Sequence, residues 1–566
     1  MKAKSLMILG TSLMGLAACT SGDINLSPST NISNSNNTTN NGGGTSANAA
    51  CASYQNTGGQ TIQGKFNSTT NNCEYSSAFA DNVNPIKTDL FIPALENDGA
   101  HVFAGSLFIG EAHDSDADLT AAGIAEGGDG PTLTIEAGAT LAFTNSSKFM
   151  IINRGSQIVA VGTPDAPITL TSTSDIDGSV GPEDVQQWGG VVINGFGVTN
   201  KCAYTGNIDP NADGNTDDST LVLDSECHVA AEGAAGNDAS FYGGNNNADS
   251  SGRLEYVIVK HTGAQVANGD ELNGISFGGV GKNTVVSNLQ VYSTFDDGIE
   301  MFGGEFDIEN LVAIYVRDDS IDVDEGWRGT INNALVIQAE SDGQHCIESD
   351  GIGSYSGLTP AARAEVIAEG INSRITVNNL TCIVSANDSA TGTHGDGAGW
   401  RFREGIFFNV TNSQIITSFS ANDQTAADDN YCLRVDNDET EAGWTGGDSS
   451  LSNVIFACQE TFKDGAAGFE GTNFAALASE SAAATIADGT AKNPTAAADA
   501  DLVLLEGTQP VFSVDYSNAL VDGAAAPGTP DNGKAFIGAV QQAADFTSPW
   551  AYGIDPANRG QALWFE

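Results

Sequence analysis

Two acidic segments stand 22 residues apart in the chain: Asp296-Asp297-Gly298-Ile299-Glu300 and Asp318-Asp319-Ser320-Ile321-Asp322. A second series has the same spacing, because an Asn precedes a short apolar run at Asn288, Asn310 and Asn333, in steps of 22 and 23 residues. A repeat of this length is typical of a solenoid, in which each coil buries its apolar side chains against the next. We therefore predict an all-β fold, a right-handed parallel β-helix with about 22 residues per coil.

Strand-like patterning surrounds the repeat. Apolar and polar residues alternate from Pro131 to Thr171, and turns such as Val161-Gly162-Thr163-Pro164 separate the alternating runs. The Asn series continues less regularly at Asn379 and Asn453. Asn tolerates a left-handed turn, and its amide can bond to the Asn of the next coil, so we favour a structural role for the series over a binding role.

The charge balance excludes nucleic acid as a partner. The 566 residues include 72 acidic and 21 basic side chains, which give a formal net charge of −51. Contacts to phosphate require clustered Lys and Arg. Since 40% of the residues are hydrophobic, the chain can nevertheless bury a large core.

The N-terminus has the pattern of an exported protein. Residues 1–18 form a signal peptide with two early lysines and an apolar run, and Cys19 follows Leu16-Ala17-Ala18 as in a lipobox. We expect export through the general secretory pathway and acylation of Cys19; a plain cleaved signal peptide is the alternative. Residues 19–50 form a flexible Ser/Asn/Thr/Gly tether.

The rest of the chain divides into three regions. We predict an N-terminal capping region at residues 51–125, the β-helix at 126–460 and an Ala-rich C-terminal capping region at 461–566, where Trp550, Trp564 and Phe565 would cover the open end of the solenoid. Thr359-Pro360, the helix-forming residues 361–369 and Gly370 predict a short helix in an inserted loop.

Eight cysteines remain after Cys19, and an exported chain meets an oxidising environment. Their positions suggest four local disulfides, although eight cysteines allow 105 connectivities. The predicted pairs are Cys51–Cys73, Cys202–Cys227, Cys346–Cys382 and Cys432–Cys458.

Several motifs resemble exported β-helix surface proteins and lipoproteins of marine Gram-negative bacteria. They lie roughly between residues 130 and 340 and include Thr134-Ile135-Glu136-Ala137-Gly138, Trp188-Gly189-Gly190, Asp296-Asp297-Gly298 and Asp324-Glu325-Gly326-Trp327-Arg328-Gly329. Within this group, the chain most resembles the surface-layer protein of marine gammaproteobacteria in its size, its acidity and its low content of Lys, Met and Cys. The resemblance implies a structural protein at the cell surface or outer membrane. The lipobox leaves two modes of attachment open, a lipid anchor or lipopolysaccharide.

Two acidic regions predict calcium sites. Asp209, Asn211, Asp213 and Asp217 have the spacing of an EF-hand-type loop with Gly214 at the sharp turn, but Thr220 stands where the bidentate Glu belongs. A solvated acidic turn is the alternative. The second region is the acidic ladder Asp296, Asp297, Glu300, Asp318, Asp319, Asp322, Asp324 and Glu325, continued by Asp342, Glu348 and Asp350. Stacking would bring these carboxylates within about 5 Å, so we expect Ca²⁺, or Arg317 and Arg328, beside them.

The same ladder admits an enzyme or an adhesin. A polysaccharide lyase or polygalacturonase-like hydrolase would use paired carboxylates, or calcium with a base among Arg317, Arg328, Arg401 and Arg403. The Gly-His-Gly and Arg-Ile-Lys motifs of such hydrolases are absent, and we interpret His345 and His394 as structural. A glycan-binding adhesin would need exposed aromatics, yet Trp188, Trp327, Trp400 and Trp444 stand in contexts that favour packing.

We therefore predict a non-enzymatic, calcium-dependent surface-layer subunit that self-associates into a lattice. Neighbouring copies at −51 repel each other, so close packing would require divalent ions to bridge or screen their carboxylates. The polysaccharide-active enzyme and the glycan-binding adhesin are the alternatives.

Overall fold

The chain winds into a right-handed parallel β-helix in the computed structural model. The described residues are 50–124, 128–233, 239–267, 270–340, 342–385, 397–417, 431–457, 460–463, 485–488, 505–506, 509–510, 512–515, 536–541 and 546–566. The predicted signal peptide, Cys19 and the tether lie outside them. In the described part of the chain, no helix is long and apolar enough to cross a membrane.

Ten short strands, one per coil, stack in parallel to form the short-strand sheet. They are Leu107–Ile109, Met150–Ile152, Val191–Asn194, Ile275–Gly278, Ile299–Phe302, Ile321–Asp324, His345–Asp350, Ala398–Arg403, Tyr431–Val435 and Glu460–Lys463. Ile299 pairs with Ile321 and Glu300 with Asp322, so the 22-residue acidic repeat is the step from one coil to the next.

A second sheet of 17 strands, which we call the bent sheet, covers the rest of each coil. Its strands are Lys65–Asn67, Asn72–Tyr75, Leu90–Ile92, His101–Phe103, Thr132–Ile135, Thr140–Phe143, Gln157–Val161, Ile168–Ser172, Gly252–Thr262, Val285–Thr294, Ile308–Ile314, Arg328–Ile337, Arg374–Val384, Phe407–Thr411, Gln414–Thr417, Ser450–Ala457 and Thr485–Asp488. Most central coils turn a corner at one residue with positive φ. We call the part before this corner the first arm and the part after it the second arm.

The predicted Asn series forms the corner. Asn288, Asn310, Asn333, Asn379, Asn412 and Asn453 all have φ between 51° and 63°. Their side-chain amides bond from coil to coil: each Nδ2 donates to the Oδ1 of the preceding Asn at 3.0 Å (Asn310), 3.0 Å (Asn333), 3.1 Å (Asn379) and 2.7 Å (Asn412). The structural role of the series is thus confirmed.

The longer step from Asn333 to Asn379 is one enlarged coil, because the strands Arg328–Ile337 and Arg374–Val384 pair directly. The insertion carries the predicted helix, Pro360–Glu369, with Thr359 as N-cap and Gly370 in the left-handed conformation after its last turn. The other α-helices are Asp116–Ala122, Thr173–Ile176 and Asp438–Gly446, and Tyr355–Gly357 forms a 3₁₀ turn.

One hydrophobic core runs through the interior of the solenoid from Cys51 to Phe456. Aromatic rings stack along its axis, for example Tyr75 on Phe103 with centroids 4.5 Å apart and Phe143 on Trp188 at 4.6 Å. Such ring contacts join several neighbouring coils, and aliphatic side chains fill the core between them.

The coils extend beyond the predicted range of 126–460. Parallel pairing already joins Cys73 to His101 and Leu90 to Leu133, within the segment that we expected to be only a cap, and Thr485–Asp488 pairs in parallel with Ser450–Ala457. Antiparallel pairs flank or decorate the coils: Ser53–Gln55 with Thr61–Gln63, Tyr204–Thr205 with Val222–Leu223, Val229–Ala230 with Phe241–Tyr242, Gln265–Ala267 with Asp270–Glu271, Leu505–Glu506 with Gln509–Pro510, and Val514–Asp515 with Phe536–Ile537.

The C-terminal aromatics do not cover the open end of the solenoid. Trp550 and Phe565 instead pack along the flank, against outward side chains of the second arm such as Tyr292 and Ile337. Gln290 locks this contact, because its Nε2 donates to the carbonyl of Tyr552 at 2.6 Å and its Oε1 accepts from the Tyr552 amide at 2.7 Å. The prediction of an end cap is wrong here because these outward columns are apolar and need a cover of their own.

Three of the predicted disulfides form. They are Cys51–Cys73, Cys202–Cys227 and Cys346–Cys382. The third joins the short-strand sheet to the bent sheet through the core. Cys432 is buried on the strand Tyr431–Val435, and Cys458, its predicted partner, lies outside the described residues.

Candidate functional site

The outward side chains of the short-strand sheet form a charged column through six coils. Strand register aligns them in the order Glu300, Asp322, Glu348, Arg401, Arg434 and Lys463. Side chains of adjacent coils stand about 4.8 Å apart in such a stack. The column therefore has an acidic half followed by a basic half.

A second acidic series lies in the turn just before each of these strands. The backbone N–H of Asp319 donates to Asp297 Oδ1 at 3.0 Å, and the N–H of His345 donates to Asp319 Oδ1 at 2.8 Å. Each carboxylate thus holds the turn of the following coil. Because the turn and the strand are adjacent, this series and the charged column face the same surface.

Five carboxylates from two coils crowd together at this surface. One oxygen from each of Asp296, Asp297 and Asp318 lies within 4.8 Å of the others, and the same is true of Asp297, Glu300 and Asp322. We call these five residues the acidic cluster. Burial raises the pKa of Asp297, Glu300 and Asp322 well above the ordinary range, and the neighbouring carboxylates raise it further.

The acidic cluster has the composition of a divalent-cation site. Asp322 Oδ1 is buried and has no hydrogen-bond partner. Carboxylate oxygens are the ligands that Ca²⁺ and Mg²⁺ prefer, and a cation would compensate the repulsion that raises these pKa values. The donor set thus fits the predicted calcium better than a transition metal, for which His or Cys would be expected.

A third group, Asp319, His345 and Glu348, is held by hydrogen bonds. His345 Nδ1 lies 2.7 Å from Asp319 Oδ1, and its Nε2 lies 2.9 Å from the hydroxyl of Tyr431. Burial lowers the pKa of His345 to about 4, so the ring is neutral at pH 7, whereas burial and Asp319 raise the pKa of Glu348 to about 7. Both ring nitrogens of His345 are engaged, as a structural role requires.

The basic half of the column is paired with carboxylates. Arg401 donates to Glu348 at 3.0 Å and to Asp436 at 3.1 Å, while Arg403 donates to Glu348 at 2.7 Å and also bonds to Asp350. Burial alone would lower the pKa values of Arg401 and Arg403. The neighbouring carboxylates instead hold these pKa values above the ordinary range. A raised pKa disfavours either arginine as a catalytic base.

A comparison with protein families identifies the family of this chain. Residues 114–500 match the family model of the pectate-lyase-like β-helix domain. The chain belongs to this family. No curated protein and no solved structure matches it. Membership in this family agrees with the parallel β-helix fold. It does not test the resemblance to a marine surface-layer protein, which stays a prediction.

Of the two arginines expected beside the acidic ladder, Arg317 contacts Asp342 of its continuation, and Arg328 lies elsewhere. Arg317 Nε lies 3.4 Å from Asp342, and Arg317 Nη2 donates to the carbonyl of Glu183 at 3.0 Å. Arg328 lies on the bent sheet and donates to the carbonyl of Gly370. The expectation that Arg328 neutralises the ladder is therefore wrong, because its strand belongs to another face of the coil.

Glu325 also leaves the acidic ladder. It has a φ of 57° and turns its side chain toward an inserted loop, where Lys201 lies 3.0 Å away and the hydroxyls of Tyr242 and Thr199 donate to its carboxylate. Glu325 thus holds that loop in place through these bonds. Sequence spacing alone could not reveal this change of direction.

The structure does not gather the carboxylates of the predicted EF-hand-type loop. Asp209 accepts the backbone N–H groups of Asp213 and Gly214 at 3.2 and 2.9 Å, and Asp217 forms an ion pair with Lys282. Within the described ranges, Asp209, Asp213 and Asp217 form no group with ligand atoms inside 4.8 Å. The loop, which also contains Asn211, has the geometry of the alternative, an acidic turn.

One further group escaped sequence analysis, because its members are far apart in the chain. Asp116, Glu226 and His228 bring one ligand atom each within 4.8 Å. Arg154 Nη2 lies 2.6 Å from His228 Nδ1, and a guanidinium can only donate, so the ring proton resides on Nε2. Nε2 lies 3.2 Å from an Asp116 carboxylate oxygen, without the geometry of a hydrogen bond. Because a protonated Nε2 cannot bind a metal, we do not interpret this group as a metal site.

The tryptophans pack inside the solenoid. Trp188, Trp327 and Trp400 have no exposed surface, and Trp444 is 6% exposed. The expectation that these four pack rather than stand exposed is confirmed, although Trp400 lies within the strand Ala398–Arg403 and Trp444 within the helix Asp438–Gly446 instead of at coil corners. His394 lies outside the described residues.

Proposed function

We propose that this β-helix protein binds an acidic glycan at the outward face of the short-strand sheet through a divalent cation, which we take to be Ca²⁺. The observation that supports this proposal is the acidic cluster, in which two carboxylate triads share Asp297 and one of them includes Asp322, whose buried Oδ1 has no hydrogen-bond partner. Asp297, Glu300 and Asp322 would hold such a cation, and Ca²⁺ takes about six to eight oxygen ligands, so carboxylate or hydroxyl oxygens of a sugar would complete its coordination.

The charged column supports a polymer as the ligand. Arg401, Arg434 and Lys463 continue the column beyond the acidic cluster in the direction of the solenoid axis. An anionic chain lying along this axis would meet the bound cation at one end and the basic side chains at the other. A small neutral ligand would use neither feature.

Binding is favoured over cleavage. Arg401 and Arg403 have raised pKa values, which is the opposite of what a proton-abstracting arginine needs. An inverting hydrolase needs carboxyls about 6.5 to 9.5 Å apart, with room for water between them. Within each triad of the acidic cluster, one oxygen from each carboxylate lies within 4.8 Å of the other two, which is closer than this spacing.

Affinity electrophoresis tests this function directly. The purified protein would be run through gels containing polygalacturonate, alginate or neutral dextran, with Ca²⁺ or with chelator. We expect retardation only in the two acidic polymers and only with Ca²⁺. An Asp297→Asn/Asp322→Asn variant should lose the retardation, and Asp213→Asn in the acidic turn should keep it.

Two results would count against the proposal. Equal mobility in acidic and neutral gels would remove the glycan from the account. Release of unsaturated or reducing products from either acidic polymer would replace binding by catalysis, and the polysaccharide lyase or hydrolase would become the function.

A surface-layer lattice is the second candidate. A net charge of −51 favours it, because a cation at an outward-facing acidic cluster can also bridge carboxylates of a neighbouring copy. Attachment through acylated Cys19 or lipopolysaccharide would place such a layer on the outer membrane. Ordered sheets in electron micrographs after calcium is restored to chelator-treated protein would support the lattice, and a monomer throughout that series would exclude it.

A further inference from the structure

A polar groove crosses the first arm of the bent sheet, on a different face from the acidic cluster. Its volume is about 670 Å³. Register places Arg328, Arg374 and Phe407 in one row across three coils and Thr330, Thr376 and Asn409 in the next outward row. The groove therefore runs along the solenoid axis, as a linear ligand requires.

Two arginines lie side by side on the floor of this groove. Arg328 and Arg374 are direct register partners, so their strands are about 4.8 Å apart. Arg328 Nη2 donates to the carbonyl of Gly370 at 3.0 Å, Arg374 Nε donates to Asn372 Oδ1 at 3.3 Å, and the Arg374 guanidinium lies 4.9 Å from the centre of the Phe407 ring. In the described part of the chain, neither arginine forms an ion pair within 4.0 Å.

This pairing is unusual for so acidic a chain. The protein has 72 acidic side chains, and the arginines of the short-strand sheet are all paired with them. Two adjacent guanidinium groups repel each other; burial, followed by this repulsion, lowers the pKa of Arg328 to about 10. An oxyanion between them would accept hydrogen bonds from both forks and remove the repulsion.

The remaining groove residues suggest what carries the oxyanion. Thr330, Thr376 and Asn409 offer hydroxyl and amide groups in a row, and Asp307 and Asp448 offer acceptors at the rim. Sugar hydroxyls both donate and accept hydrogen bonds, so they suit this mixed lining. Asp209 and Glu305 line the groove as well. The four carboxylates would repel a ligand that is anionic along its whole length, so the ligand carries isolated anionic groups.

One insertion builds a wall of the groove, and a second insertion supports it. The acidic turn around Asp209 belongs to the insertion that the Cys202–Cys227 disulfide closes. Asn207 Nδ2 donates to the carbonyl of Ala368 at 2.6 Å, which ties this turn to the helix Pro360–Glu369 of the other insertion. This bond is separate from the one that Arg328 donates to Gly370 at the end of the same helix, so the wall keeps one tie to the helix when Arg328 is replaced.

We infer that the groove is a second glycan site, in which Arg328 and Arg374 together hold one carboxylate or sulfate group of a sugar while the polar row bonds to its hydroxyls. This site needs no cation and does not depend on the function proposed for the acidic cluster. It therefore remains testable if the acidic cluster binds no glycan.

Calorimetric titration in the presence of a calcium chelator tests the inference. The probes are inorganic sulfate, an oligogalacturonate, a sulfated oligosaccharide and a neutral oligosaccharide of equal length. We expect the native chain to bind at least one anionic oligosaccharide about tenfold or more tightly than the neutral one, and the tighter of the two identifies carboxylate or sulfate as the group recognised. Inorganic sulfate should bind more weakly than either.

Matched variants locate the binding. Arg328→Gln/Arg374→Gln should lose about tenfold or more in affinity, whereas Arg253→Gln, on an exposed arginine of the same arm, should not change it. Arg328→Lys keeps the charge without the fork and should lose part of the affinity, which covers the case in which the double variant does not fold. Unchanged affinity in the arginine variants, equal affinity for the neutral sugar, or sulfate binding as tight as the sulfated sugar would each overturn the inference.

Discussion

The outward faces of two parts of the coil differ in how their side-chain columns are covered. The second arm of the bent sheet presents apolar columns, such as Val312 with Leu335 and Ile314 with Ile337, and the C-terminal segment covers them. The short-strand sheet presents the acidic cluster, and only the following coils supply arginines, which pair with Glu348, Asp350 and Asp436.

This difference shows what the outward face of a stacked fold needs in order to be stable: a cover for apolar stripes and an opposite charge for charged stripes. Strand register repeats a side chain every coil at about 4.8 Å, so a residue type used in successive coils becomes a continuous stripe. An apolar stripe is covered by the chain itself. A stripe of like charge needs opposite charge, and where the chain provides none, an ion or ligand would provide it.

The largest effect is expected where the chain provides its own cover. Trp550 is 1% exposed and lies edge-on to Tyr256 with ring centres 5.7 Å apart. Trp550→Ala should reduce the free energy of unfolding by about 3 to 5 kcal/mol, because it leaves a large cavity over the second arm. Chemical denaturation measures this change.

Trp564 provides the matched control. Its side chain is only partly buried, although its Nε1 donates to the carbonyl of Gln338 at 2.8 Å. Trp564→Ala should cost clearly less than Trp550→Ala. Similar costs for both variants would mean that the cover is not centred on Trp550.

The second prediction concerns pH in the absence of divalent cations. Burial raises the pKa of Glu348 from 4.5 to about 7, so the folded state binds the proton more tightly and stability falls as the pH rises through that window. The carboxylates of the acidic cluster with raised pKa values act in the same direction. Glu348 alone would contribute about 3 kcal/mol.

His345 acts in the opposite direction at lower pH. Its pKa is lowered from 6.5 to about 4, so it adds stability as the pH rises between these values. Melting temperatures in chelator at constant ionic strength should therefore fall from pH 6.5 to pH 8.5, where His345 no longer titrates. A melting temperature that rises over this range would contradict the prediction, because it would show that other groups of the protein already neutralise the charge of these carboxylates.

The third prediction separates repulsion from binding. Asp322→Asn removes one charge from the acidic cluster and should stabilise the cation-free protein at pH 8 by about 1 kcal/mol, because an unpartnered buried carboxylate is costly. The gain should shrink at pH 5, because the raised pKa values favour the protonated, uncharged form as the pH falls. Denaturation in chelator at both pH values provides the measurement, and a loss of stability at pH 8 would contradict the crowding.

The smallest effect is expected in the arginine groove. Arg328→Gln relieves the repulsion from Arg374 and should change stability by no more than about 0.5 kcal/mol, since the side chain is partly exposed. Arg403→Gln is the contrasting variant, because it leaves Asp350 without its arginine. Arg403→Gln should lower the free energy of unfolding by more than about 1 kcal/mol. Equal effects of Arg328→Gln and Arg403→Gln would show that pairing with a carboxylate does not distinguish the two arginines.

The sequence predicted the coil well because its signals are local and periodic. The Asn corner and the step from Asp297 to Asp319 each repeat with the strand register, so spacing alone aligned them. Arg328 was misplaced because a periodic pattern gives the position along the coil but not which face each strand occupies. The C-terminal cover and the pairing of Arg154 with His228 depend on contacts between distant segments, for which the sequence has no periodic signal.

Calcium titration of the cation-free protein tests the central claim most directly. The native chain should bind Ca²⁺, and its melting temperature should rise with the ion concentration. Asp297→Asn/Asp322→Asn should weaken binding about 100-fold, since two charged ligands are lost, while Asp213→Asn should leave it unchanged. Native affinity in the double variant, with loss of binding in Asp213→Asn, would place the ion in the Asp209 turn and contradict the account.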